Sequence, residues 1–456
     1  MARKLSRRQV LRMGAAAGAG LAALNVAGCV PAPSAPAAPA APAAPAATPE
    51  QAEEAKPGQV FLNYWTGWSG FEFDALQALV DKFNKERPDI FVNMTTVFGQ
   101  YDKVLTAIAG GNPPDVVSAV WLHELVSLAG RDGLMPVEAY ADKDGIDGSE
   151  YFASCWDAWH YDGHLWGLAI TVNANVIANR RDLYKEVGLD PDAPPKTTPD
   201  LDAAAQKLDI IDANGNIERL GLFPAGIFHW GLTFGGNFYD EANKKITAND
   251  PKIVAAMDWM FEYAKRLDIT KVDAFATGYG DYMSPQNPFF VGKKAMDDGV
   301  GEWFISFVDK FAPGLDYDFM SFPAPTDGRP DCTNFDGSVF TIPKDVAHPD
   351  ASWEFIKWLS LPENMGEFAF TIHNIPPKTA VANEERFISD PKFKMCVDLY
   401  TGPNAFGPPK TPVTSLYFTR LTEAENLVKH GEISSQDALD RVTTEVQAEL
   451  DKALAR

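Results

Sequence analysis

Cysteine is scarce in this chain, with four in 456 residues and no Cys-x-x-Cys pair. A disulfide framework is therefore excluded, and a packed core must hold the fold. Apart from Cys29, the residues Cys155, Cys332 and Cys396 allow at most one internal bridge. Positive charge is also short: 40 Lys and Arg stand against 62 Asp and Glu, a net −22. So acidic a body argues against nucleic acid and against an anionic membrane surface as partners. No apolar run reaches the ~20 residues of a spanning helix. No Gly-x-Ser-x-Gly, His-Glu-x-x-His or P-loop occurs. His160 and His164 are four apart, but Asp162-Gly163 between them reads as a turn, which speaks against a zinc site. Carboxylates are abundant, yet no catalytic pair can be read without a fold.

What is present begins at the N-terminus. Ser6-Arg7-Arg8-Gln9-Val10-Leu11-Arg12 reads as a twin-arginine export signal, with a plain Sec signal as the alternative. The uncharged run Met13 to Val26 then reads as the apolar region of the signal, and Val26-Ala27-Gly28-Cys29 as a lipoprotein cleavage box. Residues 1–29 are expected to be a removable signal, with Cys29 acylated and anchored outside the cytoplasmic membrane. Residues 31–47 are Ala and Pro apart from Ser34. Such a stretch forms a semi-rigid spacer, so 30–58 is read as a tether. The roughly 400 residues beyond it exceed one ordinary core and predict two domains.

Strand and helix patterns alternate from there. Val60 to Trp65, Ile90 to Val97 and Val116 to Val120 read as strands. Phe73 to Arg87 and Tyr101 to Ala109 read as helices, the first stopped by Pro88. The alternation predicts an α/β layer structure with a largely parallel sheet. A second α/β region starts near Val172. Its helical patterns are Leu201–Leu208, Ile253–Leu267 and Phe289–Met296. Asn334 to Ile342 reads as strand; Ala351–Leu359, Leu416–His430 and Ser435–Leu454 read as helices.

Several segments in order resemble the family-1 extracellular solute-binding proteins of ABC importers, the group that includes maltodextrin-binding proteins. They are Gly110 to Val117, Tyr161 to Leu168 (with Ala169 where a proline is usual) and Asn179 to Tyr184. Phe290-Val291-Gly292-Lys293-Lys294-Ala295-Met296, continued by Gly299 to Trp303, is the most specific. Phe322 to Pro325, Gly337, Ile342-Pro343 and Ala351 to Leu359 follow. The resemblance implies a two-lobed α/β fold of the type II periplasmic-binding-protein kind. Lobe one would comprise 59–170 plus 323–375 and lobe two 172–320 plus 377–456. Hinge crossings are expected near Ile170–Val172, Phe319–Pro323 and Asn374–Pro377. Ligand would sit in the cleft, and closure would present a surface to membrane permease subunits.

A sugar has an apolar face, which needs a flat aromatic, and hydroxyls, which need fixed donors and acceptors. Trp65 and Trp68 flank a glycine at the end of the first strand and are candidates for stacking. Position within the family adds Trp121 and His123, Asn173 and Asn175 after the first crossing, and His229-Trp230. It also adds Glu302-Trp303, Asp336-Gly337-Ser338 and Tyr417. A carbohydrate-binding monomer without cofactor, metal or catalysis is expected. A glycerol-3-phosphate or glycerophosphodiester binder is the alternative within the class. It needs an anion site, and no basic cluster stands near the candidates. A secreted glycoside-processing enzyme is the alternative of another class.

Overall fold

In the first strand, β1 (Val60–Thr66), Leu62, Tyr64 and Thr66 are buried and Asn63 is exposed, the period-two pattern of a sheet with one face on a core. The computed structural model describes residue 56 and residues 58–455; Arg7, Arg8, Cys29 and most of the tether lie outside these. β2 (Ile90–Thr96) and β3 (Val116–Val117) pair with β1 in parallel, in the order β2-β1-β3. The helix Gly70–Glu86 links β1 to β2 and buries Leu76, Leu79, Val80 and Phe83, the stripe its sequence shows. The helix Tyr101–Ala109 links β2 to β3.

The second sheet is organised around one long strand, Asn173–Arg180. Met296–Gly301, Tyr317–Met320 and Thr333–Asp336 each pair with it antiparallel, and Ala405–Phe406 adds to Thr333–Asp336 in parallel. The expectation of a largely parallel sheet thus holds for the first sheet and fails for the second. There the chain returns to one strand after separate excursions and meets it head to tail.

Phe289–Met296 is not the expected helix. Pro288 and the positive φ of Gly292 (74°) turn the chain, and Met296 begins a strand. Phe289 and Phe290 are buried by packing on Phe304, which gives helix-like spacing without a helix.

Two hydrophobic cores result. The larger holds Tyr64, Phe83, Trp159 and Trp353 and runs on through Val176, Phe304 and Tyr400. The smaller holds Trp230, Tyr263, Tyr417 and the paired helices Thr414–Lys429 and Ser435–Leu454. Cys155, Cys332 and Cys396 are buried and unbridged. Among the described residues no helix is long and apolar enough to cross a membrane.

Candidate functional site

Asn173 and Asn175 share one face of the long strand, because alternate side chains point the same way. Ala174 between them is fully buried on the other face. The antiparallel register sets Asp336 opposite Asn173 and Phe335 opposite Ala174. Asn334 therefore falls opposite Asn175, and its backbone oxygen accepts from Asn175 Nδ2 at 3.3 Å. Three carboxamides and one carboxylate thus form a polar floor on one sheet face.

Asp336 fixes one wall to that floor. Its Oδ1 accepts from the backbone N–H groups of Leu122 and Gly337, each at 2.8 Å. It thereby supplies negative charge at the N-terminus of the helix Leu122–Ala129. Its Oδ2 meets His123 Nδ1 at 2.8 Å. Burial opposes charge on that imidazole, but Asp336 and Glu124 outweigh it and the His123 pKa is raised. The opposite wall is His229, on the helix Ile227–Thr233, whose Nδ1 hydrogen-bonds Asn334 Oδ1. Burial pushes the His229 pKa down to about 4, so the ring is neutral and Nδ1–H donates to the amide oxygen. Phe418 lies against both walls, 5.4 Å from the His123 ring and 4.9 Å from the Phe228 ring.

Trp303 stands at the floor's edge. Gly301 pairs with Asn175, and a Cβ on Gly301 would come within 2.7 Å of the Ala174 oxygen and 2.9 Å of Trp303 Nε1. Glycine is what lets the indole fold back there. The ring meets Tyr282 and Phe307 edge-on at 5.4 and 5.6 Å and stays partly exposed. A cavity of about 360 Å³, whose lining includes no floor residue, opens between helices of the two cores. Leu122, Val126, Phe228, Leu232, Phe335 and Phe406 line it, and the Asp157–Lys410 ion pair sits at its edge.

The structure thus brings His123, Asn173, Asn175, His229, Asp336 and Trp303 together, and Trp121 precedes the wall helix as its N-cap, its backbone N–H donating to Glu124 at 3.0 Å. The other candidates lie elsewhere. Trp68 is 6% exposed and packs on Phe368 and Phe340, so it belongs to the core. Trp230 is fully buried against Trp259 and donates to Asp298 at 2.9 Å. One step along a helix turns a side chain by about 100°, so His229 reaches the floor and Trp230 does not. Tyr417 is likewise buried and donates to the Phe238 oxygen at 2.8 Å, while Phe418 is the partly buried neighbour that meets His123. Ser338 is buried and donates to the Ser118 oxygen. The Gly337 N–H is spent on Asp336, and a Cβ there would lie 3.1 Å from the Thr171 oxygen.

Glu302 is not a hydroxyl acceptor for a ligand. It is fully buried and accepts from the backbone N–H groups of Ala174 (3.0 Å) and Ile375 (3.3 Å). Burial lifts its pKa to about 8. Trp65 is half-buried in a separate groove beside the helix Tyr101–Ala109.

Asn334, Phe418 and the cavity's aromatic lining are absent from the sequence candidates. Asn334 had a readable signal, since Asn334-Phe335-Asp336 repeats the polar–apolar–polar order of Asn173-Ala174-Asn175. Among the described residues no Lys or Arg hydrogen-bonds to the floor. No group of three or more His, Cys, Asp or Glu there is placed to hold a metal ion.

Known proteins share this architecture. The structure "CpMnBP1 with Mannotriose Bound" is 29% identical, with a TM-score of 0.80 over 85% of this chain and all of that one. "Maltose bound T. maritima MalE3" is 21% identical with a TM-score of 0.72, over 86% of this chain and all of that one. In sequence, an uncharacterized ABC transporter extracellular-binding protein of Pyrococcus horikoshii is 25% identical, over 69% of this chain and 70% of its own length. The sn-glycerol-3-phosphate-binding periplasmic protein UgpB of Pectobacterium atrosepticum is 23% identical, over 70% of this chain and 73% of its own. Residues 72–366 match the family described as bacterial extracellular solute-binding protein, and the chain belongs to that family.

Proposed function

We propose that the protein captures a neutral sugar or oligosaccharide for an ABC importer and delivers it by hinge closure. The observation that carries this is the floor of Asn173, Asn175, Asn334 and Asp336, set between two walls and edged by the partly exposed Trp303. Amides and a carboxylate suit hydroxyls, and an indole suits a sugar's C–H face. The likeness to a mannotriose-bound structure supports the same reading. Glycerol phosphate, named for the UgpB relatives, is the second reading. It would set an anion against Asp336 where, among the described residues, no Lys or Arg hydrogen-bonds to the floor, which disfavours it.

Lobe one is proposed as 59–170 plus 323–375 and lobe two as 172–320 plus 377–456; the hydrogen bonds by which Glu302 ties Ala174 to Ile375, beside two of the three expected crossings, support this. No covalent chemistry is proposed. The N-terminal sequence supports twin-arginine export and acylation at Cys29, and family membership supports permease subunits as partners of a receptor proposed to be monomeric. A thermal-shift panel tests the ligand class, because a ligand that binds only the folded state raises Tm. Mannobiose and mannotriose are expected to raise it and glycerol-3-phosphate to leave it unchanged; the reverse would replace this reading with the second.

A further inference from the structure

The helix Thr414–Lys429 meets both walls of the site. Ser415, Phe418 and Glu425 stand three and seven residues apart, so they share one helical face. Ser415 takes the first wall: its backbone N–H donates to Ser127 Oγ at 3.2 Å and its hydroxyl to the His123 oxygen at 3.4 Å. Phe418 meets the His123 and Phe228 rings, one on each wall. Glu425 takes the second wall. It is buried, and its carboxylate accepts from the backbone N–H groups of Gly226 (3.2 Å) and Ile227 (2.8 Å), which open the helix Ile227–Thr233. The first N–H groups of a helix find no acceptor within it, and here a side chain supplies one. Lys429, one turn further on, pairs with Glu425 and lies over the Phe223 ring.

The hold on Gly226 is also a hold on His229. Gly226 has a φ of 81°, and a Cβ there would come within 2.8 Å of His229 Cδ2. The imidazole therefore lies directly on the backbone that Glu425 fixes, and from there its Nδ1 reaches Asn334 of the floor. Asp298 accepts from the preceding N–H, that of Ala225, at 2.9 Å, so carboxylates from two different elements secure this turn.

We propose that Glu425 is a positioning residue for the binding site: it holds His229 against the floor and, through its helix, sets the spacing of the two walls. It acts from outside the cleft, through the Gly226 turn. The proposal rests on the sugar reading of the cleft and adds a residue beyond it on which affinity depends.

The test combines nitrogen-15 NMR of the His229 imidazole with calorimetric titration of mannotriose, in the unaltered protein, Glu425→Ala and Glu425→Gln. The second variant keeps the side-chain size and one acceptor, in case the first folds poorly, and His229→Gln identifies the signal. The unaltered ring is expected to carry its proton on Nδ1 and to titrate at about 4. The direction of any change separates two roles. Loss of the Glu425 charge alone lowers the His229 pKa further, because a nearby anion favours the imidazolium. Release of the ring to water raises it toward the ordinary 6.5. The variants are expected to show the rise, with mannotriose bound at least tenfold more weakly. A pKa that stays or falls in every variant that folds overturns the proposal, and so does unchanged affinity in a variant whose ring is released. If the unaltered protein binds no mannotriose, the sugar reading fails, and the histidine signal still decides whether Glu425 holds the wall.

Discussion

Trp303 and Trp68 are tryptophans near glycines that the sequence offers as stacking candidates, Trp303 by its place in the family and Trp68 by its place after the first strand, and their surroundings assign them opposite work. Trp303 meets Tyr282 and Phe307 on its edges and keeps an exposed part. Replacing it with Ala should weaken sugar binding tenfold or more, about 1.4 kcal/mol, with a small change in Tm. Trp68 is enclosed by Phe340 and Phe368. Its truncation should cost about 3–5 kcal/mol of stability while the folded fraction binds normally. Titration and denaturant unfolding of the two variants check this, and a swapped pattern would reverse the assignments. Glu302 gives a pH prediction. Its pKa rises on folding from the ordinary 4.5 to about 8, because it is buried. Between those values the folded protein keeps a proton that the unfolded chain releases. The stabilisation is full below about pH 4.5 and is lost as pH rises through 8, at about 1.4 kcal/mol per unit. Glu302→Gln should therefore flatten the fall in stability measured by urea unfolding between pH 5 and pH 8. Parallel pH profiles for the two proteins would refute it.

Among the elements, local pattern was enough for some and not for others. The stripe in Gly70–Glu86 and the long C-terminal helix Ser435–Leu454 follow directly from apolar periodicity. The three strands of the first sheet were legible for the same reason, although Val116–Val117 is shorter than its apolar run. Phe289–Met296 misled because its phenylalanines are spaced by a tight turn against Phe304, and periodicity alone does not separate that from a helix. In the site, Asn173 and Asn175 were reached through their place after the expected first crossing, while the strand Asn173–Arg180 that sets both on one face was not read. The difference between His229 and Trp230 was not legible, since it depends on which helix face meets the floor. Trp68 was misplaced because Phe340 and Phe368, which enclose it, are remote in sequence. One element-level prediction follows from the Asn175–Gly301 pairing. A Cβ at Gly301 would press on the Ala174 oxygen and on the Trp303 indole. Gly301→Ala should cost about 1–3 kcal/mol and shift tryptophan emission. An unchanged spectrum and stability would mean that the indole does not rest where the structure has it.

For the whole molecule, the arrangement has one consequence that binding alone does not give. The floor belongs to the connecting sheet, one wall to a helix on the larger core and the other to a helix on the smaller core. A ligand that touches all three favours the arrangement in which they converge, and the free energy of that preference limits how far it shifts the hinge equilibrium. The acidic surface, at net −22, repels anions at a distance and so favours neutral solutes over phosphates. Isothermal titration of the purified protein with mannotriose, with glycerol-3-phosphate in a parallel cell, tests the central claim most directly. The account predicts saturable one-to-one binding of the trisaccharide, weakened at least tenfold by Trp303→Ala, with no heat from the phosphate. Binding of glycerol-3-phosphate with no heat from the sugar would contradict it.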